Sequence, residues 1–292
     1  MWILLAAASA LLLGFYDIFK KLSVRNNNVP VVLWLNTLFG TLLLSPVIVQ
    51  SLSSPHDFLP LIAHAHILLK AVIVLGSWIL GYFAIKHLPL TIQGPINATR
   101  PVLVLIGALI IFGERLNIWQ WAGVLLGIVS LYMISRIGAG EGFSLRRSHW
   151  LWMSIGATLL GAGSALYDKY LIRLYSPLQV QAWYSLYQCI IMGIVTLVLL
   201  RTPVIRAKAG PFTWRWAIPC IALFLTAADM AYFYALSLPG SMIAIVSMMR
   251  RGSVIVSFAY GVLALHEHGI RTKLIDLGIL LLGLACLTIG SL

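Results

Sequence analysis

Apolar residues run along this chain in blocks of about twenty, broken by short polar connections. A hydrocarbon core of about 30 Å takes roughly 20 apolar residues at 1.5 Å rise each. Ten segments meet that length: 2–22, 31–50, 65–87, 91–112, 117–136, 150–173, 177–200, 214–236, 240–265 and 271–291. The longest polar connections are 51–64, 137–149 and 201–213, which leave no room for a soluble domain. Trp119/Trp121, Trp150/Trp152 and Trp214/Trp216 each fall at a predicted helix start, where an aromatic belt meets the membrane interface. The pattern predicts an all-α integral membrane protein with ten transmembrane helices.

One block carries two adjacent charges. In "SMMRRGSVIVSF" (247–258), Arg250-Arg251 sits inside an otherwise apolar run. As a loop, it would leave 11 steps from Pro239 and 15 steps to His266. These rise only ~16 and ~22 Å, short of a crossing. One helix of about 26 residues fits instead, with both arginines near mid-depth. A central arginine costs about 2.5–3.5 kcal/mol on insertion scales, so such residues face a cavity or a partner.

The blocks also repeat. "YDIFKKL" at 16 answers "YDKYLIR" at 167, pairing Asp17 with Asp168. "GYFAIKHLPL" (81–90) answers "AYFYALSLPG" (231–240), pairing Tyr82 with Tyr232 and Pro89 with Pro239. "FGERLNIWQWAGVLLGI" answers "LHEHGIRTKLIDLGILL", with Glu114 against Glu267. The predicted organisation is a five-helix repeat over 1–137, a connecting loop at 138–149 and a second repeat over 150–292. Five spans per half force the second to insert upside down. Inverted repeats are a transporter architecture, with the site near the midplane between them.

Composition agrees with a lipid solvent: 61% of residues are hydrophobic and 10% charged, against about 25% charged in soluble domains. Mean hydropathy is +0.97. The formal charge of +12 would suggest nucleic acid in a soluble protein, but here it follows from basic loops. Thirteen Lys and Arg residues, from Lys20 and Lys21 to Arg271 and Lys273, fall on one side of a ten-span chain. Three, Arg115, Lys169 and Arg173, fall on the other. The positive-inside rule then places both termini outside, and the expected location is a bacterial inner (plasma) membrane. Cys189, Cys220 and Cys286 lie in apolar runs and read as small core residues. The first block lacks a basic leader and a small-residue cleavage site, so it is expected to be a span rather than a signal peptide.

The candidate chemistry is a set of charges in the spans. Arg100 lies 11 residues past Pro89, as Arg250 does past Pro239. Asp229 precedes Pro239 by 10, so it reaches the depth of Arg250 and Arg251 on the neighbouring helix and is expected to pair with one of them. No acid matches it in the first half, where position 79 is Ile. Three cations against one acid leave a surplus of about two charges. Guanidinium forks suit a phosphate or carboxylate held at two points. Arg100, Arg250 and Arg251 are therefore the expected anion ligands, with Tyr232 beside them and Asp229 as ion-pair partner or proton-coupling site. Asp17 with Lys20, and Asp168 with Lys169, fall late in their helices. They read either as interfacial ion pairs or as gates at opposite mouths. His64/His66 and His266/His268 have i, i+2 spacing, which points them apart on a helix, so no metal site is expected. No nucleophile elbow or phosphate loop occurs, so neither enzyme chemistry nor a cofactor is expected.

The two repeats, each closing on "FGERLNIWQWAGVLLGI" or "LHEHGIRTKLIDLGILL", resemble the drug/metabolite transporter superfamily and its EamA-type members. That resemblance implies a cavity lined by the first four helices of each half, with the fifth and tenth peripheral. It also implies cytoplasmic termini, against the charge count. "MMRRGSVIVSF" is similar to the ninth helix of sugar-phosphate translocators, which carry a further lysine in the fourth helix. Asn97 stands at that position here, with Arg100 one turn later. The function expected is secondary transport of a small anionic metabolite by alternating access, with protons or a counter-transported anion as coupling partner. The alternatives are export of amino acids or other zwitterions, or flipping of a lipid-linked phosphate.

Overall fold

The computed structural model describes residues 1–24, 27–53, 59–87, 96, 99–137, 149–202, 211–253, 256 and 270–290. Among them are ten α-helices: α1 (Trp2–Val24), α2 (Val29–Ser53), α3 (Leu61–His87), α4 (Arg100–Ile111), α5 (Ile118–Ile137), α6 (His149–Leu174), α7 (Pro177–Arg201), α8 (Ala217–Ser237), α9 (Ile243–Met249) and α10 (Ile270–Ile289). Local signals set several ends. Ser176 precedes Pro177 at the first turn of α7, where the missing N–H of proline costs nothing. Gly113, with φ +63°, ends α4 in the left-handed region that a side chain disfavours.

Five helices are long and apolar enough to cross a membrane: Trp2–Lys20, Val29–Ser53, Leu61–Gly81, Pro177–Arg201 and Ala217–Ser237. The others are shorter or more polar over their described residues. Expected span 240–265 is not one uniform α-helix. α9 stops at Met249, a 3₁₀ turn carries Arg250–Gly252, and helix resumes at Ser253. Length arithmetic sees only reach, and a 3₁₀ turn keeps the reach while tightening the winding. Residues 254–255 and 257–269, including Glu267, His266 and His268, lie outside the described residues.

The distribution of side chains is that of a body immersed in lipid. Leu4, Leu42, Leu61, Ile110, Leu197 and Trp216 are exposed, while Ser9, Asn36, Lys70, Asp168, Lys169, Gln181 and Gln188 are buried. Apolar surface costs nothing against acyl chains, whereas polar groups must find partners inside the bundle. Small residues let the helices approach, with Ala6, Ala63, Ala71, Ala108 and Ala162 all in the core. Hydroxyls then bridge backbones: Ser9 Oγ donates to the Ala228 carbonyl at 2.7 Å, and Ser77 Oγ to that of Ala157 at 2.7 Å.

The main helix partnerships are α1 with α8, α3 with α6, α2 with α7, α4 with α6 and α9, and α5 with α10. At one end of the α5–α10 pair, Asn117 Nδ2 and Gln120 Nε2 both donate to the Gly290 carbonyl, at 2.6 and 3.1 Å.

Candidate functional site

Arg100, Arg250 and Arg251 come together inside the bundle. Each lies in the electrostatic field of another: Arg100 with Arg250, and Arg251 with both. Arg250 Nη2 donates to Asp229 Oδ1 at 2.7 Å, and its Cζ stands 4.4 Å above the Tyr232 ring. α8 supplies both partners from one face, because 229 and 232 are i, i+3. The expected pairing of Asp229 thus resolves to Arg250, while Arg251 points elsewhere and its Nε has no hydrogen-bond partner among the described residues.

Arg100 is held differently. Its Nη2 donates to the Gly161 carbonyl on α6 at 2.8 Å. The guanidinium lies flat on that glycine: a Cβ there would stand 2.6 Å from Arg100 Cζ. Glycine is what lets the arginine approach the α6 backbone. Among the described residues, neither Arg100 nor Arg251 makes an ion pair.

Two acids beyond Asp229 stand by this cluster, and each brings a lysine with it. Asp168 is buried and pairs with Lys70 of α3, Nζ to Oδ1 at 2.6 Å. Asp17 of α1 lies in the field of Lys20, Arg251 and Arg250. Lys20, Lys70, Arg100, Arg250 and Arg251 therefore meet Asp17, Asp168 and Asp229, five cations against three acids, which leaves a surplus of two positive charges among a wider set of residues than expected. Depth along a single helix could not reveal this, because Asp168 comes inward by the way α6 crosses α3.

Lys70 is the residue that sequence reasoning missed. It is 2% exposed, lying 4.0 Å from the Phe233 ring centroid and 4.3 Å from that of Tyr184. A lysine within an apolar span is itself the signal, because an interior ammonium needs a carboxylate or an aromatic face.

Asp168 and Lys169 do not act together. Neighbours on a helix point about 100° apart, and while Asp168 turns to Lys70, Lys169 Nζ reaches Glu114 Oε1 at 2.9 Å. Lys169 also donates to the Ser241 carbonyl. Glu114 completes the clasp by accepting from the Ile243 and Ala244 N–H groups at 2.7 and 3.2 Å. One carboxylate so joins the end of α4, α6 and the first turn of α9, where a helix N-terminus favours negative charge. Lys20 stands over the Tyr16 ring at 5.4 Å. His64 and His66 diverge as expected, to the Tyr187 and Tyr175 hydroxyls at 2.8 and 3.1 Å. Among the described residues no His, Cys, Asp or Glu group could hold a metal. Asn97 lies outside the described residues.

Polar interior, apolar exterior and a charged cluster between the helices are the marks of an integral membrane protein. Residues 1–136 match the family model of the EamA-like transporter family, which is consistent with the drug/metabolite transporter superfamily. No curated protein matches the chain. A crystal structure of a protein 15% identical superposes with a TM-score of 0.75, covering 99% of this chain and 96% of its own, so the fold is shared over the full length. The likeness of the ninth segment to sugar-phosphate translocators finds no support in these comparisons.

Proposed function

We propose that this chain is a secondary transporter that moves a small anionic metabolite, bearing phosphate or carboxylate, across a bacterial inner membrane by alternating access. The observation that carries the reading is the convergence of three guanidiniums, two of them without an ion-pair partner among the described residues. Interior cations left uncompensated are costly, and a site that retains them is one that meets an anion. Arg250 is anchored by Asp229, which leaves Arg100 and Arg251 to take the substrate oxygens, with Tyr232 as a wall.

The inverted five-plus-five arrangement is part of this reading. Shifting every helix by five maps α1 with α8 onto α6 with α3. It returns α2 with α7, α4 with α9 and α5 with α10 to themselves. A pseudo-two-fold axis between 1–137 and 150–292 produces that set of partners. Asp17 and Asp168 are then equivalent acids, one from each repeat. The Glu114–Lys169 pair lies on the side on which α4 ends and α9 begins.

The test is a thermal-shift screen of purified protein against sugar phosphates, nucleotides, carboxylates, amino acids and polyprenyl phosphates. Anionic members stabilise the wild type and fail to stabilise Arg250→Ala with Arg251→Ala. Absence of any anionic stabiliser, or its persistence in that variant, overturns the reading. Stabilisation by amino acids alone favours the zwitterion exporter, and by polyprenyl phosphates alone the flippase. Orientation is read by a cysteine at Gly140, which labels only from inside if both termini are outside.

A further inference from the structure

A second polar cluster lies beside the charged one and shares only Asp229 with the contacts above. Asn36 of α2, Gln181, Ser185 and Gln188 of α7, and Thr226 and Asp229 of α8 line a cavity of about 30 Å³, room for one or two groups the size of a water molecule. Asn36, Gln181 and Gln188 are 3%, 3% and 5% exposed. Gln181 Nε2 donates to the Thr226 carbonyl at 2.8 Å, which fixes the amide and turns its oxygen away from that bond. Gln181 Oε1, Asn36 Oδ1 and Gln188 Nε2 have no hydrogen-bond partner among the described residues.

Three orphaned amide atoms around one cavity are more than a fold leaves without reason, because each is costly in a membrane interior. They offer two acceptors and one donor. A carboxylate or phosphate only accepts, so it would meet two amide oxygens and Asp229 unfavourably. An ammonium only donates, so it would leave Gln188 Nε2 unmet. An alkyl group satisfies none of them. A hydroxyl or carboxamide both donates and accepts, which matches the set. Asp229 belongs to both places: it lines this cavity and holds Arg250, so one solute can reach the arginines and the amides together.

We propose that Asn36, Gln181 and Gln188 form a neutral hydrogen-bonding subsite that reads hydroxyl or carboxamide groups on the body of the transported solute. This rests on the anion reading for the other end of that solute. The substrate is then an anion with a polar, uncharged body, and its alkyl analogues are rejected because they leave the amides unpaired.

The test compares binding within two series of matched probes. One is glycerol 3-phosphate, n-propyl phosphate and 3-aminopropyl phosphate; the other is gluconate, hexanoate and 6-aminohexanoate. Dissociation constants are measured on the full-length protein in detergent, for wild type, Asn36→Leu and Gln188→Leu. Gln188→Met serves as a second variant if leucine impairs folding, and ligand-free melting checks each. The hydroxylated member binds at least about tenfold tighter than the alkyl one. The leucine variants bring that ratio close to one without weakening the alkyl member. Arg250→Ala with Arg251→Ala weakens both members and keeps the ratio, which separates the two ends of the site. Equal binding of hydroxylated and alkyl probes by the wild type, as when the cavity holds water alone, overturns the subsite and leaves the anion reading standing. Tighter binding of the amino member overturns it in favour of a zwitterion. If no anion of either series binds, the anion reading falls, and glucitol then decides the subsite. Stabilisation by glucitol that Gln188→Leu removes upholds it, and no such stabilisation overturns it.

Discussion

Arg100 and Arg250 occupy matching places in the chain, each 11 residues past a proline, yet their surroundings differ in one respect that sets their roles. Arg250 has a carboxylate at 2.7 Å and an aromatic face beneath it. Arg100 has a backbone carbonyl at 2.8 Å and no counter-charge of its own among the described residues. The difference traces to one position on the preceding helix, which is Asp229 in the second half and Ile79 in the first. A paired guanidinium is held in place and largely neutralised; one resting on a carbonyl keeps its charge for a partner that comes and goes. In the proposed transporter, the same residue type at equivalent positions would serve as a post on one side and as a hand on the other.

This contrast is open to attack at four points. The largest effect belongs to Asp229→Ala, which strands the Arg250 charge inside the bundle. It costs about 3 kcal/mol of stability by reversible unfolding, at the low end for a buried pair because both partners keep some exposure. A loss under about 1 kcal/mol, the value of an exposed pair, would break the claim that Arg250 is anchored. Next, Arg100→Gln weakens anion binding about tenfold, measured by titration, while ligand-free stability stays level or rises. Removing an unpaired interior cation relieves desolvation, as is common where function and stability conflict. Third, Asp229→Asn keeps the shape but frees the Arg250 charge, so anion affinity increases about fivefold, roughly 1 kcal/mol. A fall in affinity instead would mean that Asp229 itself contacts the solute. Smallest is Gly161→Ala, whose methyl group displaces the Arg100 guanidinium and reduces affinity a few-fold, costing about 1 kcal/mol of stability. It has no further effect on binding in an Arg100→Gln background, since the two changes act through one contact.

Much of this arrangement was legible in residue order, and the remainder failed for identifiable reasons. Apolar block length gave ten helices because a membrane fixes one dimension of every span. Counting from Pro239 put Asp229 opposite Arg250, because a short hairpin holds two helices in register. The counting stopped working wherever a contact joined helices distant in sequence. Asp168 and Lys169 read as a helix-end group with nearby charges, yet one meets Lys70 on α3 and the other Glu114 past α4. Lys70 was passed over as one charge in a long apolar run. The three amides of the second cavity carry no charge at all, and a hydropathy pattern hides a buried glutamine among leucines. Asn97, expected among the ligands, lies outside the described residues and gains no geometric argument.

The split between Asp168 and Lys169 has a mechanical meaning. These are consecutive residues of one stiff rod, and they are latched to different neighbours on different sides. Any turn of α6 about its own axis that slips the Lys169 latch also swings Asp168 away from Lys70. The rim of the bundle and its charged centre are thereby geared to a single shaft. Consecutive side chains stand about 100° apart, so one turn of the rod would move both latches at once.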